Sequence, residues 1–217
     1  NAKKIESFPL KPGEKWHGFK EVSSQYLCLD PIKVTILLPG IENECLADWG
    51  IPAVIVEKFL ASHGIIVEKT GPYSMLFLFS LGITRAKSMT LLVALNKFKQ
   101  LYDSNALVKS VIPQLYKAHP EFYEKMTIQS LAQKMHVLMQ HYKLPQVMYH
   151  AFDVLPTVIM TPHQAYQKLI RRDVKNIPLR QLKGKTSAVM ILPYPPGVPL
   201  IMPGEQITDA CEPILDF

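Results

Sequence analysis

From Ile51 to Tyr102 the spacing of hydrophobic residues changes repeatedly, and each change predicts an element. Ile51, Ile55 and Phe59 recur at every fourth position, with Glu57 and Lys58 on the outward, polar side. Pro52 suits a first helical turn and Gly64 the position just past an end, so a helix is predicted over about 52–64. Residues 65–69 and 74–80 then read as two strands joined by the tight turn Thr70-Gly71-Pro72-Tyr73. Met75 to Phe79 is an unbroken apolar run, which predicts a central strand covered on both faces. A second helix follows over about 84–102, with Leu91, Leu92, Leu95 and Phe98 turned to the core and Arg85, Lys87, Lys97 and Lys99 to water. Upstream, Tyr26–Leu29 and Ile32–Leu38 are β-rich, separated by Asp30-Pro31, and the second run ends at Pro39-Gly40.

Beyond Asp103-Ser104-Asn105 the pattern becomes mostly helical. Val108 to Tyr116 is interrupted by Pro113, and Thr127 to Tyr142 carries a stripe of Ile128, Leu131, Met135, Leu138, Met139 and Tyr142. Thr161-Pro162 caps and opens a further helix reaching about Arg172. A strand, Ala188–Leu192, leads into Pro193-Tyr194-Pro195-Pro196-Gly197-Val198-Pro199, whose four prolines fix a rigid extended path. The expectation is therefore an α+β protein: a small sheet with helices packed on one side over residues 1–103, then a second α+β unit over 104–217.

Composition narrows the classes. In 217 residues, 48% are hydrophobic and 19% charged, so the chain is globular rather than disordered. No run approaches the roughly 18 apolar residues of a membrane span, and Asn1 to Phe19 carries no secretory pattern. Cys28, Cys45 and Cys211 are odd in number and widely spaced, which argues against a disulfide framework or a zinc knuckle and fits a reducing cytoplasm. The net charge is +6, yet the lysines are scattered and Arg171-Arg172 is the tight basic pair, so neither nucleic acid nor a membrane is expected as a partner. His136 and His141 lie five apart, on different helix faces, and all seven histidines read as structural or surface groups. A glycine-rich phosphate loop, a nucleophile elbow, Cys-x-x-Cys and a metal-spaced carboxylate pair are all missing, so no catalytic or metal-binding set can be assembled. Asn1-Ala2 resembles a cloning scar and the apolar end lacks a terminator, which suggests an excised piece of a longer protein.

Two side chains remain as binding candidates. Glu68, beside the turn, is either a solvated rim partner of Lys69 or the receptor of a ligand's cationic end. Tyr194, held by the proline run, either packs on the prolines or presents its hydroxyl at a defined position.

Several stretches occur together in one order: Leu29-Asp30-Pro31-Ile32-Lys33-Val34-Thr35, Gly50-Ile51-Pro52-Ala53, Gly64-Ile65-Ile66-Val67-Glu68-Lys69-Thr70-Gly71-Pro72-Tyr73, Pro120-Glu121-Phe122-Tyr123, Val154-Leu155-Pro156-Thr157 and Met190-Ile191-Leu192-Pro193-Tyr194-Pro195-Pro196-Gly197-Val198-Pro199. With them the chain resembles the large bacterial decarboxylases of lysine, arginine and ornithine, which use pyridoxal phosphate and have an aminotransferase-like fold; the Val67–Tyr73 wording is most similar to the lysine-type members, with the arginine type next. The resemblance implies that residues 1–103 complete the small subdomain of the cofactor-binding core, and that 104–217 belong to the family's carboxy-terminal domain. It implies pyridoxal phosphate in the parent enzyme, held by an upstream domain, because the family's Ser-x-His-Lys cofactor motif does not occur here. It further implies a homo-oligomer, a basic amino acid substrate recognised at its far end by Glu68 beside Tyr194, and no activity for this chain alone. Some lysine-type members bind guanosine tetraphosphate through basic residues, but the aligned positions here are Leu107 and Thr127, so alarmone inhibition is not expected. A rival from another class is a stand-alone interaction module with a basic surface.

Overall fold

The computed structural model describes residues 9–14, 19–22, 27–42, 45–194, 197–209 and 211, without the side chains of Pro145 and Tyr149. Most of the Trp16–Phe19 aromatic cluster, Tyr26, two prolines of the proline run and the final six residues lie outside it. The architecture is mixed α and β, as the alternating spacings required. A three-stranded antiparallel sheet has the order β1 (Lys33–Leu37), β5 (Ser74–Leu78), β4 (Lys69–Thr70), with Val34 opposite Phe77 and Thr70 opposite Met75. A two-stranded ladder, β2 (Ile41–Glu42) and β3 (Cys45–Leu46), carries the chain to α1 (Ala53–Ser62).

β5 is the central strand, but it is not covered on both faces. Met75 and Phe77 are buried while Leu78 is exposed, so the apolar run alternates like a strand with one wet side. The strand expected over 65–69 keeps only its end. Ile65 N–H donates back to Leu60 O at 3.0 Å, closing the helix, and the ladder begins at Glu68 N–H, 2.9 Å from Leu76 O. Gly64 at φ +72° makes that helix exit possible.

α1 and α2 (Arg85–Asp103) pack on the face of β5 that carries Met75 and Phe77, where Ile55, Phe59, Leu91 and Phe98 share one core. Thr84 caps α2, its hydroxyl accepting from Lys87 N–H at 3.4 Å. The buried face of α2 is Leu91, Ala94 and Phe98, spaced at i, i+3 and i+7, and Leu92, expected inside, falls off that face and is 51% exposed. The same core continues past residue 103 through Val108, Val111, Ile112, Ile128, Leu131 and Ala132. Each large, fully buried side chain of this kind contributes about 1.5–3 kcal/mol.

Pro113 does break the next helix, into α3 (Val108–Val111) and α4 (Pro113–Ala118), followed by α5 (Pro120–Tyr123). α3 starts beside α6 (Ile128–His141): Leu107 bridges Thr127, with Val108 N–H to Met126 O and Ile128 N–H to Ala106 O, both 2.9 Å. Along α6 the buried positions are Ile128, Leu131, Ala132, His136 and Met139, while Leu138 is exposed, so the helix is rotated from the expected stripe. α7 (Leu144–His150) and α8 (Pro162–Ile170) follow, the latter opened by a capping box between Thr161 and Gln164. No strand forms over 188–192. Ile191 makes a single bridge to Ile201, and the prolines beyond it have no N–H to extend a ladder. A second cluster of Ala151, Leu200, Ile201, Ile207 and Cys211 fills this part of the molecule.

Candidate functional site

The first half of α1, the β4–β5 turn, α6, α7 and the proline run line an open cavity of about 520 Å³. Its apolar wall comes from Val54 on α1, Val67 before β4, Met139 on α6, Leu144 and Met148 on α7, and Phe152. Thr70, Gly71 and Pro72 of the turn form one rim, Pro193 and Tyr194 another. The structure brings both sequence candidates here. Glu68 and Tyr194 line the same cavity, and the Tyr194 hydroxyl reaches the Glu68 carbonyl oxygen at 3.5 Å, the outer limit of a hydrogen bond. Lys69 Nζ lies over the Tyr194 ring, 5.7 Å from its centre, a cation–π distance. Both Glu68 and Tyr194 remain exposed at the mouth.

A second charged residue, which periodicity had turned outward, belongs to the cavity. Glu57 lines it, with a side chain only 25% exposed against 58% for Lys58, its ion-pair partner at 3.4 Å. The helix pattern of α1 separates core from water correctly. What it lacks is any sign that α6 and α7 would fold over the flank carrying Val54 and Glu57.

Behind the wall, a buried polar chain fixes the turn. Tyr73 is 2% exposed and His136 0% exposed. The phenol donates to His136 Nδ1 at 2.5 Å and also touches Met139 Sδ at 3.3 Å. His136 Nε2 is 2.7 Å from Ala47 O, which can only accept, so the hydrogen sits on Nε2 and Nδ1 is the acceptor. Gln140 Nε2 donates to the same carbonyl at 2.7 Å. Burial pushes the Tyr73 phenol up to about 12. Two glycines make room for it: a Cβ on Gly40 would fall 2.2 Å from the Tyr73 ring, and one on Gly50 2.6 Å from His136 Nδ1. The histidines were expected to be structural, and a role for His136 inside the core was invisible because a polar residue does not register in an apolar stripe.

The donor set decides what this cavity can hold. Its charged lining residues are two carboxylates, which repel a phosphate monoester and suit an ammonium or guanidinium group carried on an alkyl chain. The residues present therefore do not fit pyridoxal phosphate. Among the described residues no group of three or more His, Cys, Asp or Glu could hold a metal ion, and no helix is long and apolar enough to cross a membrane.

Residues 1–87 match the Orn/Lys/Arg decarboxylase major domain and residues 145–217 the Orn/Lys/Arg decarboxylase C-terminal domain. The chain belongs to the Orn/Lys/Arg decarboxylase family. Within the family it is 53% identical over 213 residues to the inducible lysine decarboxylase of Escherichia coli K12, covering 98% of this chain and 30% of that protein. It is 52% identical over 218 residues to the lysine decarboxylase of Hafnia alvei, covering 100% of this chain and again 30% of the relative. The solved structure of the constitutive lysine decarboxylase of E. coli superposes with a TM-score of 0.88 at 51% identity, over 100% of this chain and 31% of that one. The biodegradative arginine decarboxylase of E. coli K12 is more distant, at 36% identity. The chain thus spans about 30% of the length of these decarboxylase relatives.

Proposed function

We propose that the chain is part of a pyridoxal-phosphate-dependent lysine decarboxylase, which converts lysine to cadaverine and CO₂, and that it supplies the wall of the substrate pocket that meets the substrate's distal ammonium group. In this reading residues 1–103 complete the small subdomain and 104–217 form the carboxy-terminal domain. The cofactor and its lysine belong to an upstream domain of the same cytoplasmic, homo-oligomeric enzyme, so the isolated chain is inactive. Glu68 accepts the ammonium group, and Tyr194 closes the pocket beside it.

The observation that carries the reading is the meeting of Glu68 and Tyr194, 126 positions apart in sequence, at one cavity with carboxylate charge and apolar walls. An ammonium on a methylene chain needs both. Lysine is favoured over arginine by the higher identity to lysine decarboxylases.

In the full-length enzyme, Glu68→Gln should raise KM for lysine about tenfold or more, the value of a charge-assisted contact in a partly dry pocket. An unchanged KM would remove Glu68 from the site. Incubated with pyridoxal phosphate, the 217-residue chain should show neither internal-aldimine absorbance nor CO₂ release, and either signal would overturn its inactivity.

A further inference from the structure

We propose that Glu57 is a second specificity-determining carboxylate of this cavity, adding its charge to that of Glu68 so that the pocket selects a primary ammonium on an alkyl chain. The inference rests on the substrate-pocket reading above and extends it to a residue on a different element.

Helix register places the side chain. Ala53, Ile55, Val56, Phe59 and Leu60 are the buried face of α1. Val54 and Glu57, three residues apart, form the flank that lines the cavity. A glutamate on a surface helix would ordinarily extend into water, yet this side chain is only a quarter exposed. Its partner Lys58 is the adjacent residue, more than half exposed, and is not among the residues that line the cavity. The Lys58 ammonium is therefore a lateral contact that does not enter the cavity, and no lysine, arginine or histidine is among the lining residues.

A concave, mostly apolar surface with carboxylates as its charged groups concentrates negative potential. The shape of the matching ligand follows. An ammonium has three N–H donors and no acceptor. One carboxylate at the rim leaves donors to water; a second on the neighbouring helix gives them an anionic partner, while Val54, Met148 and Phe152 take the methylenes. A neutral isostere of the same length gains the apolar contact and neither charge contact, so the second carboxylate acts on discrimination more than on packing.

The test uses the full-length holoenzyme, with KM and kcat for lysine and inhibition by 1,5-diaminopentane measured in Glu57→Gln, Glu68→Gln and Lys58→Ala. Glu57→Gln should raise KM about three- to tenfold and weaken the diamine by a similar factor while kcat stays within about twofold, as for one partly solvated charge contact. Lys58→Ala should lower KM, because it removes the cation that competes for Glu57; a purely structural glutamate gives no such gain. If Glu68→Gln raises KM and Glu57→Gln leaves it unchanged, the inference about Glu57 fails and the substrate pocket stands. If neither variant moves KM, both readings fail. A fall in kcat with unchanged KM for Glu57→Gln, or a raised KM for Lys58→Ala, also overturns the inference.

Discussion

Removing one oxygen from Tyr73 isolates the contribution of the buried chain behind the cavity. In Tyr73→Phe the ring, its packing and the space left by Gly40 and Gly50 are all retained, so no void larger than the lost hydroxyl opens. What changes is His136 Nδ1, fully buried and now without a donor. A buried acceptor left unsatisfied costs about 1–3 kcal/mol, against about 3–5 kcal/mol for a truncation that also leaves a cavity. Tyr73→Phe should therefore fall in the lower range. The assay is guanidinium unfolding of the 217-residue chain at neutral pH, comparing midpoints at constant m. The double variant Tyr73→Phe/His136→Leu sharpens it. Gln140 still satisfies Ala47 O in that variant, and both ends of the lost bond are apolar, so the double variant should lose much less than the sum of the singles. Alkaline pH gives a second arm. The phenol is raised from its ordinary 10.0 to about 12, so the folded state holds a proton that the unfolded state releases. Its contribution is present below pH 10 and lost as pH rises through about 12, with a slope of up to about 1.4 kcal/mol per pH unit. Tyr73→Phe should flatten that decline. Unchanged stability in the single variant together with strict additivity in the double would refute the hydrogen-bond account.

Other perturbations have equally definite outcomes. Gly40→Ala puts a methyl group 2.2 Å from the Tyr73 ring at φ +141°, and should cost about 2–4 kcal/mol in the same unfolding assay; a loss under about 0.5 kcal/mol would mean the ring moves freely. Thr161→Ala removes the hydroxyl that caps α8 and should cost about 1 kcal/mol, with faster amide exchange confined to the first turn of Pro162–Ile170. Glu124 is held below its ordinary 4.5 by hydrogen bonds from Lys109 and Tyr116, with the Lys109 charge adding to them. Its pairing therefore persists above the ordinary carboxylate range and is lost as pH falls through the depressed value; an NMR titration midpoint at or above 4.5 would contradict the contact.

The local grammar of the chain was legible where a single residue type enforces a backbone outcome. Thr84, Thr127 and Thr161 mark helix starts by their hydroxyls, Pro113 breaks a helix by its missing N–H, and Gly64 releases the chain from α1 by its positive φ. Side-chain position on those helices was less legible. Ranking by apolarity put Leu92 and Leu138 inside, whereas the helix phase buries small Ala94, and hydrogen bonding makes polar His136 a core residue. The apolar run of β5 read as doubly covered because composition does not reveal that Leu78 has no layer above it. For the cavity, Glu68 and Tyr194 were picked out by their places beside a turn and within a proline run. Their meeting, and the presence of Glu57 beside them, depends on how α6, α7 and the proline run fold back over α1, which no local spacing encodes.

The fit of Tyr73 against Gly40 and Gly50 ties three separated sequence positions into one volume. An aromatic ring occupies the space that side chains at 40 and 50 would need, so none of the three is free to change alone. Relatives carrying a larger residue at either glycine should therefore carry a smaller one in place of the tyrosine, and the histidine beneath it should change in the same lineages. A substitution tolerated in one relative would then cost stability when moved into this chain by itself.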